Sequence, residues 1–299
     1  MINYMSYEMI KSRGATQAIR FISRPSGGEI YTVLTLPVDN FQPSQLALIC
    51  PPIFGEYSNS YAILRELAQQ LSAHGIGVLR FDYVGVGESY GDPDTFSMSS
   101  AVADISFLAS WLMERFPAAT KVTPIGMRLG CRLMLDALVN PIRSGSPRIA
   151  MPILWDPVLD TRQYILGELR NTLAGAMVIY RSVVASREDI VRETLESGFC
   201  EREGYRLNQI DGYPITREFL REAWVGSSNN TWSFLEPVVV LVTVSAGNAE
   251  RQHKQLASML LEMKFHAVQD VPYWNLTPTY SQIRENLFGV TQRCMEQCD

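Results

Sequence analysis

Apolar and polar positions along this chain follow two periods in turn. Residues 46–50, 76–81, 149–154 and 237–244 are mostly apolar, and with 121–125 and 264–271 they read as the strands of a sheet covered on both faces. Between them, apolar residues recur at helical spacing. Ile63, Leu64, Leu67 and Leu71 mark a helix over 61–73 that stops at Gly75, and Val102, Ile105, Leu108, Ala109 and Leu112 mark one over 98–116. Further helices are expected over 129–138, 249–263 and 281–292. Near the start, strands 18–23 and 29–36 flank Pro25-Ser26-Gly27-Gly28, which reads as a hairpin. This alternation predicts an α/β fold, a mostly parallel eight-stranded sheet with helices on both faces. Residues 156–234 break the rhythm, being rich in charge and helix formers, and read as a helical lid inserted between core segments 1–155 and 235–299.

Charge and composition narrow the function classes. The 299 residues carry 26 Lys+Arg against 31 Asp+Glu, a net charge of −5, and the basic residues are scattered. That pattern gives no footprint for nucleic acid. Five cysteines, Cys50, Cys131, Cys200, Cys294 and Cys298, form neither a metal-type spacing nor an even disulfide framework. The opening Met1-Ile2-Asn3-Tyr4-Met5-Ser6-Tyr7 lacks the basic start and apolar run of a signal peptide, and no stretch nears 18 apolar residues. A cytoplasmic protein without a membrane span is expected. Without a Gly-rich phosphate loop or a metal-ligand cluster, no cofactor is expected either.

In an open parallel sheet, ligands bind at the carboxyl ends of the strands. The informative turn is Gly126-Met127-Arg128-Leu129-Gly130, between the strand 121–125 and a helix. Strand, glycine, two residues, Leu129, glycine and helix is the layout of a nucleophile elbow. Its tip holds Arg128, whose guanidinium stays protonated and is no nucleophile. A literal G-x-S-x-G occurs at Gly87-Glu88-Ser89-Tyr90-Gly91, but it runs into Asp92-Pro93-Asp94 rather than a helix. The context that gives the motif its chemistry is absent, which weighs against Ser89.

The chain resembles α/β-hydrolases of the serine-aminopeptidase-like group, and within it the hydrolases associated with exosortase A systems, second type. The matching residues are Pro51-Pro52-Ile53-Phe54-Gly55-Glu56-Tyr57-Ser58-Asn59, Arg80-Phe81-Asp82-Tyr83-Val84-Gly85-Val86-Gly87-Glu88-Ser89 and the 126–130 turn. Further matches are Trp155-Asp156-Pro157-Val158, Tyr164-Ile165, Asp211-Gly212-Tyr213-Pro214-Ile215-Thr216 and Pro272-Tyr273-Trp274. The resemblance implies an α/β-hydrolase fold and a Gly-x-Arg-x-Gly elbow of the kind found in that group. It also locates the remaining triad positions. The acid would follow the strand before the last, where Asn248 and Glu250 stand, and the histidine would follow the last strand, where Tyr273 and Trp274 stand. His74, His253 and His266 all fall elsewhere and read as structural.

The backbone at the Cys50 turn and the Leu129 amide remain where an oxyanion hole would form. Arg128, at a helix N-terminus, suits an anion such as a carboxylate, a phosphate or a phosphopantetheine arm. The alternative is internal pairing with Glu56 or Asp156. Ile53, Phe54, Glu56, Asn59, Leu129, Asp156, Tyr273 and Trp274 are the candidates for substrate contact, and Arg128 for catalysis. Asp82 reads as a tie for the loop after its strand. Cys131 reads as core. Tyr164, Leu166, Leu169, Met177, Tyr180 and Phe199 are lid residues that face core or pocket. Three functions stay open: an enzyme acting on an acyl, ester or thioester substrate without a serine nucleophile, a non-catalytic binding protein, and a conventional ester hydrolase. The first would take an acyl-carrier protein or a coenzyme A thioester as partner.

Overall fold

The computed structural model describes residues 9–12, 15–144, 149–181, 185–226, 232, 238–243, 249–258, 260, 262–270, 274 and 285–296. The sheet strands are β1 (Met9–Ser12), β2 (Ala15–Ser23), β3 (Glu29–Pro37), β4 (Gln45–Cys50), β5 (Gly77–Phe81), β6 (Lys121–Met127), β7 (Ile153–Trp155), β8 (Val238–Thr243) and β9 (Met263–Val268). They lie in the order β1-β2-β3-β5-β4-β6-β7-β8-β9. From β5 to β9 every neighbour is parallel, while β1, β2 and β3 join antiparallel at one edge. The eight expected strands are all present, and β1 adds a ninth at that edge.

The helices are α1 (Phe54–Ala73), α2 (Met98–Arg115), α3 (Leu129–Ser144), α4 (Thr161–Tyr180), α5 (Arg187–Ser197), α6 (Arg217–Gly226), α7 (Ala249–Ala257) and α8 (Glu285–Glu296). Helix α1 starts seven residues before the expected 61, because Phe54, Tyr57 and Ser60 continue the buried stripe toward the strand. The central strands β4 to β8 feed two cores, which is why they read as nearly unbroken apolar runs. In β4, Leu46, Leu48 and Cys50 join the cluster with α2 and α3, while Ala47 and Ile49 join Ile63, Leu67 and Leu71 of α1 on the other face. Each fully buried leucine there contributes roughly 2 kcal/mol of hydrophobic stabilisation.

Between β7 and β8 the chain places α4, α5, α6 and two short hairpins, Glu201–Arg202 with Tyr205–Arg206 and Gln209–Ile210 with Tyr213–Pro214. Glu222 of α6 accepts from the N–H groups of Met98 and Ser99, at 2.6 and 3.2 Å, satisfying orphan donors at the start of α2. That bond ties the inserted helices to the core. No described helix is long and apolar enough to cross a membrane.

The chain leaves β4 toward β5 through α1 on one face, and leaves β6 toward β7 through α3 on the other. The direction of winding therefore reverses between β4 and β6. Beside that reversal a cavity opens outside the carboxyl ends of β6, β7 and β8.

Candidate active site

Three residues with positive φ stand where neighbouring strands end: Phe54 (+56°) just after β4, Arg128 (+52°) after β6 and Asp156 (+44°) after β7. Backbone strain of this kind in a non-glycine residue costs of order 1–3 kcal/mol and persists only where surrounding bonds impose it. Those bonds are present. The Arg128 N–H donates to Trp155 O at 3.0 Å, and Arg128 O accepts from the N–H groups of Cys131 and Val158, both at 3.1 Å. The Asp156 N–H donates to Leu241 O at 2.8 Å, so the ends of β6, β7 and β8 are stitched together.

The two glycines of the turn serve close approach. A Cβ on Gly130 would lie 2.3 Å from Pro51 O and 2.5 Å from Cys50 O, and one on Gly126 would lie 2.7 Å from Cys131 Cα. Only hydrogen at these positions lets α3 start tight against β4 and β6.

The Arg128 side chain is 17% exposed and held on three sides. Its Nε donates to Glu56 Oε1 at 2.9 Å, and a terminal nitrogen donates to Asp156 O at 3.1 Å. Its guanidinium carbon stands 4.4 Å from the Trp274 ring centroid, a cation–π contact. Of the two acids expected as internal partners, Glu56 supplies a carboxylate and Asp156 its backbone carbonyl. Burial pushes the Glu56 carboxyl up from its ordinary value, and Arg128 pulls it back down. Tyr164 lies near enough to act on that charge but does not reach hydrogen-bond geometry, so Glu56 Oε2 is buried without a partner.

A cavity of about 280 Å³ opens beside Arg128, lined by Asp156, Pro157, Val158, Leu159, Asp160, Gln163, Tyr164, Val242, Leu256 and Trp274. Of the candidates for catalysis and substrate contact, Arg128, Asp156 and Trp274 line it, and so does Tyr164 of the lid residues. Glu56 stands behind Arg128, and the Asn59 amide donates to Trp274 O at 2.9 Å. Ile53 and Phe54 line a separate crevice with Val86, Phe96, Tyr213 and Pro214, where the Phe54 ring packs on Phe219 at 5.6 Å. Leu129 is fully buried and offers its backbone alone. Tyr273 and Asn248 lie outside the described residues, as does Cys298. Glu250, the other residue at the expected acid position, faces solvent and pairs with Lys254 at 2.7 Å. Val242 and Leu256, which reach the cavity from β8 and α7, carry no signal in the sequence that marks them as site residues. Residues 157–160 were findable as the turn after a sheet strand.

Ser89 is structural in its bonding. Its hydroxyl donates to Asp82 O at 2.5 Å and accepts from the Tyr31 N–H at 2.9 Å. Asp82 accepts from the Glu88 N–H at 2.9 Å and from the Tyr57 hydroxyl, tying the loop as expected. The Cys131 thiol is buried, donates weakly to Trp155 O at 3.6 Å, and is pushed well up by desolvation rather than activated. His74, His253 and His266 are all exposed. His74 caps α1 and contacts Gln70 O at 2.9 Å, and the His253 ring packs on Phe265 at 4.9 Å. No group of acids, cysteines and histidines among the described residues is arranged to hold a metal ion.

No family model and no curated protein matches the chain. Solved structures do match it over nearly the whole length. A putative hydrolase from Agrobacterium vitis S4 shares 14% identity over 95% of this chain and 98% of its own, with a TM-score of 0.58. Est1E from Butyrivibrio proteoclasticus, solved with ferulic acid bound, shares 14% over 93% and 98%, with a TM-score of 0.60. An esterase from Exiguobacterium antarcticum shares 13% over 92% and 98%, with a TM-score of 0.56. The parallel sheet with its antiparallel edge, the tight turn into α3 and this agreement over whole chains establish that the protein has the α/β-hydrolase fold.

Proposed function

We propose that this chain acts on a small acyl compound, an ester or thioester, held beside Arg128, and that it does so without a serine-bound intermediate. The observation that carries the reading is the occupant of the turn into α3. Arg128 has the positive φ and stitched backbone of an elbow tip, and a guanidinium cannot attack a carbonyl. The bonding of Ser89 and the exposed positions of the three histidines support the same reading. Solved proteins of this fold include an esterase. In direct transfer, an acceptor hydroxyl adds to the acyl carbon, the carbonyl oxygen takes up negative charge, and the leaving thiolate or alkoxide departs with the acceptor's proton. The Leu129 amide at the start of α3 and the Arg128 guanidinium would stabilise that oxygen.

Turnover of an aryl acetate and a short acyl thioester, with and without an added alcohol, tests this when intact mass is followed in parallel. The expected result is acceptor-dependent product, no acyl adduct, full retention in Ser89→Ala and loss in Arg128→Ala. An adduct that disappears in Ser89→Ala would restore a conventional ester hydrolase. A second reading, ligand binding without catalysis, is favoured by the engagement of Arg128 with Glu56 inside the protein. It predicts saturable binding and no product in any arm.

A further inference from the structure

We infer that Glu56 sets the charge preference of this pocket, so that it takes an uncharged acyl group and excludes the matching free carboxylate. The inference rests on the acyl-pocket reading and names the ligand class that reading leaves open. Arg128 faces the cavity, yet it arrives with its own counter-charge: Glu56 Oε1 holds its Nε from behind at 2.9 Å. The Glu56 side chain is 9% exposed, so little water screens it from whatever Arg128 touches. A carboxylate placed against Arg128 would feel the Glu56 charge across the guanidinium with little water between, and Asp160 adds another carboxylate to the cavity wall. The carbonyl of an ester, thioester or amide accepts a hydrogen bond from a guanidinium and brings no charge to be repelled. The anionic ligand suggested by Arg128 in the sequence is thus already present, as part of the protein.

Glu56 is held in this role by its surroundings. Its Oε2 is buried and unpartnered, and Tyr164 and Glu168 of α4 and Asp211 of the lid face it together with Arg128. Burial and the neighbouring acids raise the carboxyl, and Arg128 opposes them. Acidification therefore protonates Glu56 above the ordinary range for a glutamate and removes its charge from beside Arg128.

Calorimetric titration with phenylacetamide and phenylacetate, a neutral and an anionic probe of one shape, decides the matter. The wild-type chain is expected to bind the amide at least tenfold more tightly than the carboxylate. In Glu56→Gln, which keeps the hydrogen-bonding oxygen and removes the charge, carboxylate affinity should rise by about ten- to a hundredfold. Amide affinity should change by less than about threefold. Should Glu56→Gln fail to fold, the wild-type protein titrated from about pH 8 to about pH 5 should show the carboxylate gaining on the amide. A wild-type preference for phenylacetate, or a ratio unmoved by both the substitution and pH, overturns the inference while leaving an acyl pocket in place. Binding of neither probe to either protein overturns the pocket reading and this inference with it.

Discussion

Replacing Arg128 by alanine asks whether the pair with Glu56 is a structural necessity. Alanine is chosen because it shares the cost of the positive φ with arginine, so the backbone contribution largely cancels. What remains is a carboxylate that is 9% exposed, whose Oε2 already lacks a partner and whose Oε1 loses its donor. Removing one member of a buried pair costs about 3–5 kcal/mol. Arg128 is 17% exposed and lines an open cavity, so water can follow the deleted side chain, and we expect about 2–3 kcal/mol at neutral pH.

The pH dependence of that loss has a definite sign. Glu56 is raised by burial even with Arg128 present, and without it the folded-state value rises further. A carboxyl whose folded pKa exceeds its unfolded one stabilises below the unfolded value, and that contribution is lost as pH rises through the folded value. The Arg128→Ala deficit should therefore be largest at neutral pH and shrink on acidification toward about pH 5. Adding Glu56→Gln should recover most of it, giving a coupling of at least about 1.5 kcal/mol in a double-mutant cycle. Urea denaturation followed by tryptophan fluorescence at several pH values measures all of this. An Arg128→Ala chain as stable as wild type at neutral pH, or strict additivity in the cycle, would refute the pairing argument.

Ser89→Ala removes a hydroxyl that bonds both Asp82 O and the Tyr31 N–H, and leaves that half-buried N–H without this acceptor. Thermal denaturation should show a loss of about 1–3 kcal/mol, whatever the turnover assay shows. Gly130→Ala would drive a methyl into Pro51 O and Cys50 O, both backbone atoms that cannot rotate away. It should cost more than about 3 kcal/mol or prevent soluble expression, and a normally stable variant would show that α3 can retreat from β4.

Much of this architecture was legible in the residues. Strands buried on both faces write themselves as continuous apolar runs, and helices between them as a 3.6-residue stripe, because each side chain's burial is fixed by its own periodicity. The turn after β6 was legible for a related reason: glycines four apart between an apolar strand and a helix report a close approach that only hydrogen allows. The ninth strand was not, since a four-residue edge strand pairs on one side only and carries little pattern.

At the site, the sequence determined that a guanidinium occupies the tip and needs a counter-charge, since a side chain that is always protonated cannot be buried alone. Which acid supplies it, Glu56 from 72 positions away or Asp156 from 28, was left open, and only the packing of α1 against the β6 turn decided it. The same holds for the cavity wall, where Val242 and Leu256 meet residues 156–160 through sheet order and not through proximity in the chain. Periodicity is a local property carried by neighbouring residues. A charge pair or a pocket is set by which strand ends the crossovers bring side by side, and that is decided by the tertiary structure alone.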